Sequence, residues 1–104
     1  MTIERIGVVG AGQMGNGIAH VLALAGYDVL MTDTSADALN ASHGIIGANI
    51  DRQVARDKVS EGEKAEALAR IKTTGKLTDL GPTDLIIEAA TEREAVKVAI
   101  FEDL

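Results

Sequence analysis

Three glycines at fixed spacing constrain this 104-residue chain more than any other feature. The apolar Ile6, Val8 and Val9 lead into Gly10-Ala11-Gly12-Gln13-Met14-Gly15, which meets the pattern G-x-G-x-x-G. Gly10 lets the chain turn sharply out of a strand, Gly12 keeps a Cβ out of the way of an approaching ligand, and Gly15 lets a following helix lie close to the sheet. Met14, Ile18, Val21, Leu22 and Ala25 then recur at helical spacing as one apolar stripe, and Gly26 is placed to end that helix. A second buried strand is expected over Tyr27 to Thr32, with Asp33 at its end, 23 positions after Gly10. Strand, glycine turn, helix, strand and carboxylate, in that order, are what a dinucleotide-binding βαβ unit requires. The helix N-terminus offers unpaired amides to a pyrophosphate, and the acid accepts from the ribose hydroxyls. A carboxylate there repels the 2′-phosphate of NADP, and Thr34, Ser35 and Ala36 supply no cation to offset it, so NAD is the expected cofactor.

Composition removes several other functions. The absence of cysteine rules out disulfides, thiolate nucleophiles and cysteine metal sites, and no metal site is expected. A net charge of −6 disfavours nucleic-acid and anionic-membrane partners, and with only Tyr27 and Phe101 aromatic there is no platform for stacked bases. No apolar run has the length of a membrane span and no signal-peptide pattern opens the chain, so a cytoplasmic location is expected.

After Asp33, Thr34 or Ser35 can cap a long helix with apolar positions Leu39, Ile46, Ile50 and Val54, weakened by Gly44 and Gly47. Ser60 with Glu63 forms a capping box for a second helix through Ala65, Leu68 and Ala69. Together they make a helical hairpin over about residues 35–71. Ile71 to Thr74 reads as a third strand, Leu77 to Leu80 as a brief turn, Gly81-Pro82 as a break and Asp84 to Ala90 as a fourth strand. Thr91 with Glu94 repeats the capping-box spacing, and Val96, Ile100 and Leu104 predict the buried stripe of a last helix. The fold expected is therefore α/β: a Rossmann-like parallel sheet of strand order 3-2-1-4, the first half of a dinucleotide-binding domain with a helical hairpin insertion. Its ligand should lie where Gly10 to Gly15 and Ala89 to Glu92 converge. With no later strand, the fourth would be an edge open to self-association through pairing or exchange of the last helix.

These residues carry a resemblance. GAGQMGNGIAHVLALAGYDVLMTD, DRQVARDKVSEGEK and DLIIEAATEREAVKVAIFEDL together resemble the N-terminal NAD-binding domain of the 3-hydroxyacyl-CoA dehydrogenases, enzymes of fatty acid metabolism. The resemblance implies that Gln13 and Met14 line the pyrophosphate alongside Gly10, Ala11, Gly12 and Gly15. It further implies that Asp33 holds the ribose and that Ala89, Glu92 and Lys97 help to hold NAD beyond the fourth strand. It makes Asn49, Arg52, Arg56 and Lys58 on the hairpin candidates for contacts with the CoA part of a substrate. The activity implied is oxidation of an (S)-3-hydroxyacyl-CoA to the 3-oxoacyl-CoA. The Ser-bearing segment, the His and Glu pair and the helical dimer domain of such enzymes have no counterpart in these 104 residues, so binding without turnover is expected and no catalytic residue is assigned. His20 and His43 have no carboxylate at a spacing that suggests a catalytic pair. Two other readings fit the glycine turn: a related β-hydroxyacid dehydrogenase, against which Asp33 and the Ser60 to Ile71 segment count, and a non-catalytic nucleotide-binding module.

Overall fold

The structure is a computed structural model that describes the backbone of residues 3–90 and 95–100 and the side chains of residues 3–89. In chain order it contains β1 (Arg5–Val9), α1 (Gln13–Leu24), β2 (Asp28–Thr32), α2 (Ala36–Ala55), α3 (Glu61–Arg70), β3 (Ile71–Thr74), a 3-10 turn (Leu77–Leu80), β4 (Leu85–Ala90) and β5 (Ala95–Ile100). The sheet order is β3-β2-β1-β4-β5. β1 runs parallel to β2 and β4, and β2 parallel to β3, which gives the expected 3-2-1-4 arrangement.

Register explains which residues form the core. Ile6 lies opposite Val29 and Leu85, and Val8 opposite Met31 and Ile87. Because side chains alternate along a strand, these share the face that the helices cover. Val8, Val29, Met31 and Ile71 pack there against Ala19 and Ala23 of α1, Leu39, Ile46 and Ile50 of α2 and Ala67 of α3. On the opposite face Leu80, fully buried, lies where a Cβ on Gly7 would come within 2.8 Å of it.

The helices end as their sequences dictate. Gly26 takes φ +104, its N–H donates to the Ala23 carbonyl and that of Tyr27 to Leu22, a Schellman turn that closes α1. Arg70 of α3 donates to the same Ala23 carbonyl at 2.9 Å, setting a cation at the negative end of α1. Ser35 caps α2 by accepting from Ala38, and the Ser60–Glu63 capping box is complete. α2 runs through both its glycines without a break. Gly44 meets open space, while a Cβ on Gly47 would sit 3.6 Å from Leu68, so that glycine lies where α2 meets α3.

Two expectations change. The stripe predicted for α1 is rotated: its buried residues are Gly15, Asn16, Ala19 and Ala23, while Ile18 and Leu22 lie on a flank and Val21 is 67% exposed. The face turned to the core is the one made of small residues, Ala19 and Ala23 being fully buried, which lets a helix lie close to what it covers. Residues 95–100 form β5, antiparallel to β4, where a helix was expected over Val96 and Ile100. β-branched residues at alternate positions 96, 98 and 100 suit a strand, and pairing satisfies the backbone groups along β4's outer side. β4 is therefore not an edge, its outer side being already paired with β5. The Thr91–Glu94 capping box and Leu104 lie outside the described residues.

Candidate functional site

At the C-terminal end of β1 the ladder to β2 finishes with the Gly10 N–H donating to Thr32 at 2.7 Å, and the chain then turns with Gly10 at φ +108. Two close approaches fix this turn. A Cβ on Gly10 would lie 2.5 Å from the Ala89 carbonyl oxygen, and one on Gly15 would lie 1.7 Å from the Gly10 carbonyl oxygen. Gly15 is therefore needed because the first turn of α1 presses on the glycine turn itself, more than on the sheet, whose nearest atom at that position is Val8 Cγ1 at 3.7 Å. Ala89 forms the wall on the β4 side and is 4% exposed.

The N-terminus of α1 is unlike those of the other helices. Gly12 is its N-cap and supplies no side chain, and the first turn contains no acid. α2 and α3 have serine caps and acids in their first turns. The first intrahelical bond in α1 runs from Asn16 to Gly12 at 2.9 Å, so the amides of Gln13, Met14 and Gly15 precede the ladder and point out of its end. Unpaired amides at the positive end of the helix dipole, with no carboxylate to compete, suit an anion.

Asp33 stands beside this turn. Its Oδ2 accepts from the Ala11 N–H at 2.7 Å, and its Oδ1 from the Ser35 N–H at 2.8 Å and the Thr34 hydroxyl at 3.4 Å. Burial alone would raise its pKa, but the amides of Ala11 and Ser35, with Thr34, outweigh that and hold the carboxyl below its ordinary value. A depression of about 400 Å³ opens next to it, lined by Asp33, Thr34, Ala36, Leu39, Asn40, Thr73, Thr74 and Gly75, with the apolar Ala36 and Leu39 on one wall and the end of β3 on the other. A second cavity of about 340 Å³ lies at the N-terminal ends of the strands, near Arg5, Asp28, Lys72 and Thr83, away from the glycine turn.

Glycines that admit close backbone approach, free amides and a fixed ionised carboxylate match the donor and acceptor needs of a diphosphate with a ribose attached. The family model described as "3-hydroxyacyl-CoA dehydrogenase, NAD binding domain" matches residues 5–104. The chain belongs to this family. NAD is accordingly the cofactor of the domain. Among its relatives, the 3-hydroxybutyryl-CoA dehydrogenase of Bradyrhizobium diazoefficiens is 53% identical over 102 residues, covering 98% of this chain and 35% of the relative. The one from Mycobacterium tuberculosis is 44% identical, covering 98% and 36%. The crystal structure of (S)-3-hydroxybutyryl-CoA dehydrogenase from Ralstonia eutropha superposes with a TM-score of 0.82 at 45% identity, covering 88% of this chain and 32% of that one. The chain thus spans about a third of the length of each of these relatives.

Of the residues expected from sequence, Gly10, Ala11, Gly12, Gln13, Met14, Gly15, Asp33 and Ala89 come together at the C-terminal ends of β1, β2 and β4. Glu92 lies outside the described residues. Lys97 was expected on a helix; it is in β5, opposite Glu88 in register, because the segment pairs with β4. On the hairpin, Arg52 donates to Asn49 at 3.2 Å, while Arg56 is the C-cap of α2 and Lys58 donates its N–H to Gln53 in the turn that follows. These four lie on the second half of α2 and its terminal turn, on an element separate from the glycine turn. Sequence reasoning missed the tasks of the two histidines. His20 pairs with Gln53 at 2.6 Å, tying α1 to α2, and His43 donates to the Ile71 carbonyl at 2.6 Å, tying α2 to β3. Among the described residues no group of acids and histidines could hold a metal ion.

Proposed function

We propose that this chain is the cofactor-holding part of an NAD-dependent enzyme that oxidises an (S)-3-hydroxyacyl-CoA to the 3-oxoacyl-CoA. The observation that carries the reading is the pairing of an uncapped, acid-free helix start with Asp33 fixed beside it. Gly12, Gln13 and Met14 would meet the diphosphate, Asp33 the ribose hydroxyls, and the depression between α2 and β3 the rest of the adenosine. Ala89 would close the β4 side, and Glu92 and Lys97 would act beyond it. Bound NAD supplies a hydride acceptor; these residues orient it. Asn49, Arg52, Arg56 and Lys58 would contact the CoA portion of the substrate, with residues 35–71 a substrate-facing insertion in a partial Rossmann domain.

The 104 residues alone would bind without turnover, since both histidines are committed to structural bonds and the described residues offer no acid-base pair near the glycine turn. Self-association of the isolated chain would use a surface other than β4, which is paired on both sides, and a cytoplasmic setting suits such an enzyme. The test is a titration with NAD, ADP-ribose and NADP beside a turnover assay with acetoacetyl-CoA and NADH. NAD and ADP-ribose should bind with Kd on the order of millimolar, about −4 kcal/mol, and NADP more weakly. Asp33→Ser with Ser35→Arg should relax or invert that order. Equal binding of NAD and NADP by the unaltered chain would overturn the assignment of Asp33, and turnover would overturn the claim that catalysis needs residues beyond these.

A further inference from the structure

We propose that Asp33 is also a positioning residue for the glycine turn: its carboxylate latches the Ala11 amide and so holds the phosphate-binding turn in shape before any ligand arrives. The inference rests on the site reading above and extends it from the sugar to the phosphates. Ala11 follows the last residue of the β1–β2 ladder and is 3% exposed, and its N–H, off the ladder, donates to Asp33 Oδ2 at 2.7 Å. A buried amide deprived of its acceptor is costly, and the turn would reshape to avoid it. The Ser35 N–H at 2.8 Å fixes the other oxygen, so the carboxylate cannot swing away from Ala11 without losing that bond as well.

The latch and the sugar contact are compatible. An ionised carboxylate offers about four lone-pair sites: the Ala11 amide occupies one on Oδ2, and the Ser35 amide and the Thr34 hydroxyl occupy those on Oδ1. The remaining site on Oδ2 is open to a ribose hydroxyl on the side of the depression that Asp33 lines, and a second hydroxyl would take the place of the long Thr34 bond. One side chain thus joins the part of the site that grips phosphate to the part that reads the sugar. Changing Asp33 to alter cofactor preference should then weaken ligands that carry no ribose hydroxyls at all.

The test compares the 104-residue chain with Asp33→Ala and Asp33→Asn, by amide hydrogen exchange without ligand and by the affinities for ADP and for 2′,3′-dideoxy-ADP, which lacks the hydroxyls. Asp33→Ala should accelerate exchange at Ala11 by about tenfold or more, with the core Val8 amide unchanged, and should weaken both nucleotides by about tenfold. Asp33→Asn keeps one acceptor oxygen, for Ala11 or for Ser35 but not for both, so its Ala11 protection and its dideoxy-ADP affinity should fall between those of the unaltered chain and of Asp33→Ala. Should the alanine variant fail to fold, Asp33→Ser, too short to reach Ala11, takes its place. The proposal is overturned if the Ala11 amide stays protected in the alanine or serine variant, or if such a variant loses affinity for ADP alone. If the unaltered chain binds neither nucleotide, the NAD-site reading fails, while the exchange rates still decide whether Asp33 holds the turn.

Discussion

Replacing Gly15 by alanine should damage both stability and cofactor binding, and the size of the effect follows from one contact. The added Cβ would sit 1.7 Å from the Gly10 carbonyl oxygen and 2.7 Å from the Gly10 carbonyl carbon, where ordinary contact begins at 3.4 Å. Both atoms are backbone, so no side chain can swing aside; the start of α1 and the glycine turn must part by about 1.7 Å. Overpacking of this kind costs about 1–3 kcal/mol, and at about 4–8 °C per kcal/mol for a domain of this size the melting temperature should fall by several degrees or more. The same shift takes the amides of α1's first turn out of hydrogen-bond range of a bound diphosphate, and losing a single bond to a charged group, about 1.5–3 kcal/mol, already weakens NAD at least about tenfold. Gly17→Ala is the matched control. Its Cβ meets nothing within 4 Å, and alanine in a helix is favoured over glycine by about 1 kcal/mol, so that variant should melt higher and bind normally. Thermal unfolding by circular dichroism and calorimetric titration with NAD read both effects. If Gly15→Ala melts and binds like the unaltered chain, the steric account of the turn is wrong.

Acid should destabilise the fold through Asp33 and Asp84. The Asp84 carboxyl is held below its ordinary value chiefly by the Glu4 and Arg5 amides at 2.9 and 3.0 Å, which pin the start of β4 to β1. Because both folded values lie below the unfolded 3.8, their contribution is complete above that pH and is lost as pH falls through the folded values; the urea midpoint should drop there, and Asp84→Asn should flatten the drop. The His20–Gln53 bond at 2.6 Å should give a coupling of about 0.5–1.5 kcal/mol in a double-mutant cycle by urea unfolding, and a coupling near zero would mean that it does not tie α1 to α2. Exchanging Val21, which is 67% exposed, for lysine should change stability by less than about 0.5 kcal/mol, and a larger loss by the same measurement would contradict its outward placement.

Local rules carried the reading where local chemistry decides the structure. The glycine turn, the Schellman end at Gly26, the Ser60–Glu63 box and the position of Asp33 were all legible, because each depends on residues close in sequence or on a fixed βαβ geometry. The inner face of α1 was not. Periodicity favours the larger apolar residues Ile18, Val21 and Leu22, but the face turned to the core carries the small Gly15, Ala19 and Ala23 with Asn16. Residues 95–100 carry both signals, an i, i+4 spacing of Val96 and Ile100 and a period of two through Val98, and the tie was decided by β4, whose outer side needed a partner. The bonds of His20 and His43 span 33 and 28 residues, and no local pattern announces them. The bond from Asp33 to Ala11 was hidden for a different reason: the sequence shows that the acid is in place, but only the structure shows that it accepts from the Ala11 amide.

A crystal of the chain soaked with NAD puts the whole account at risk in one observation. The diphosphate should lie within hydrogen-bond distance, about 2.7–3.2 Å, of the Gly12, Gln13 or Met14 amides, with the adenosine ribose on Asp33 and its base toward Leu39 and Thr74. A diphosphate bound instead at the other end of the sheet, near Arg5 and Lys72, would contradict it.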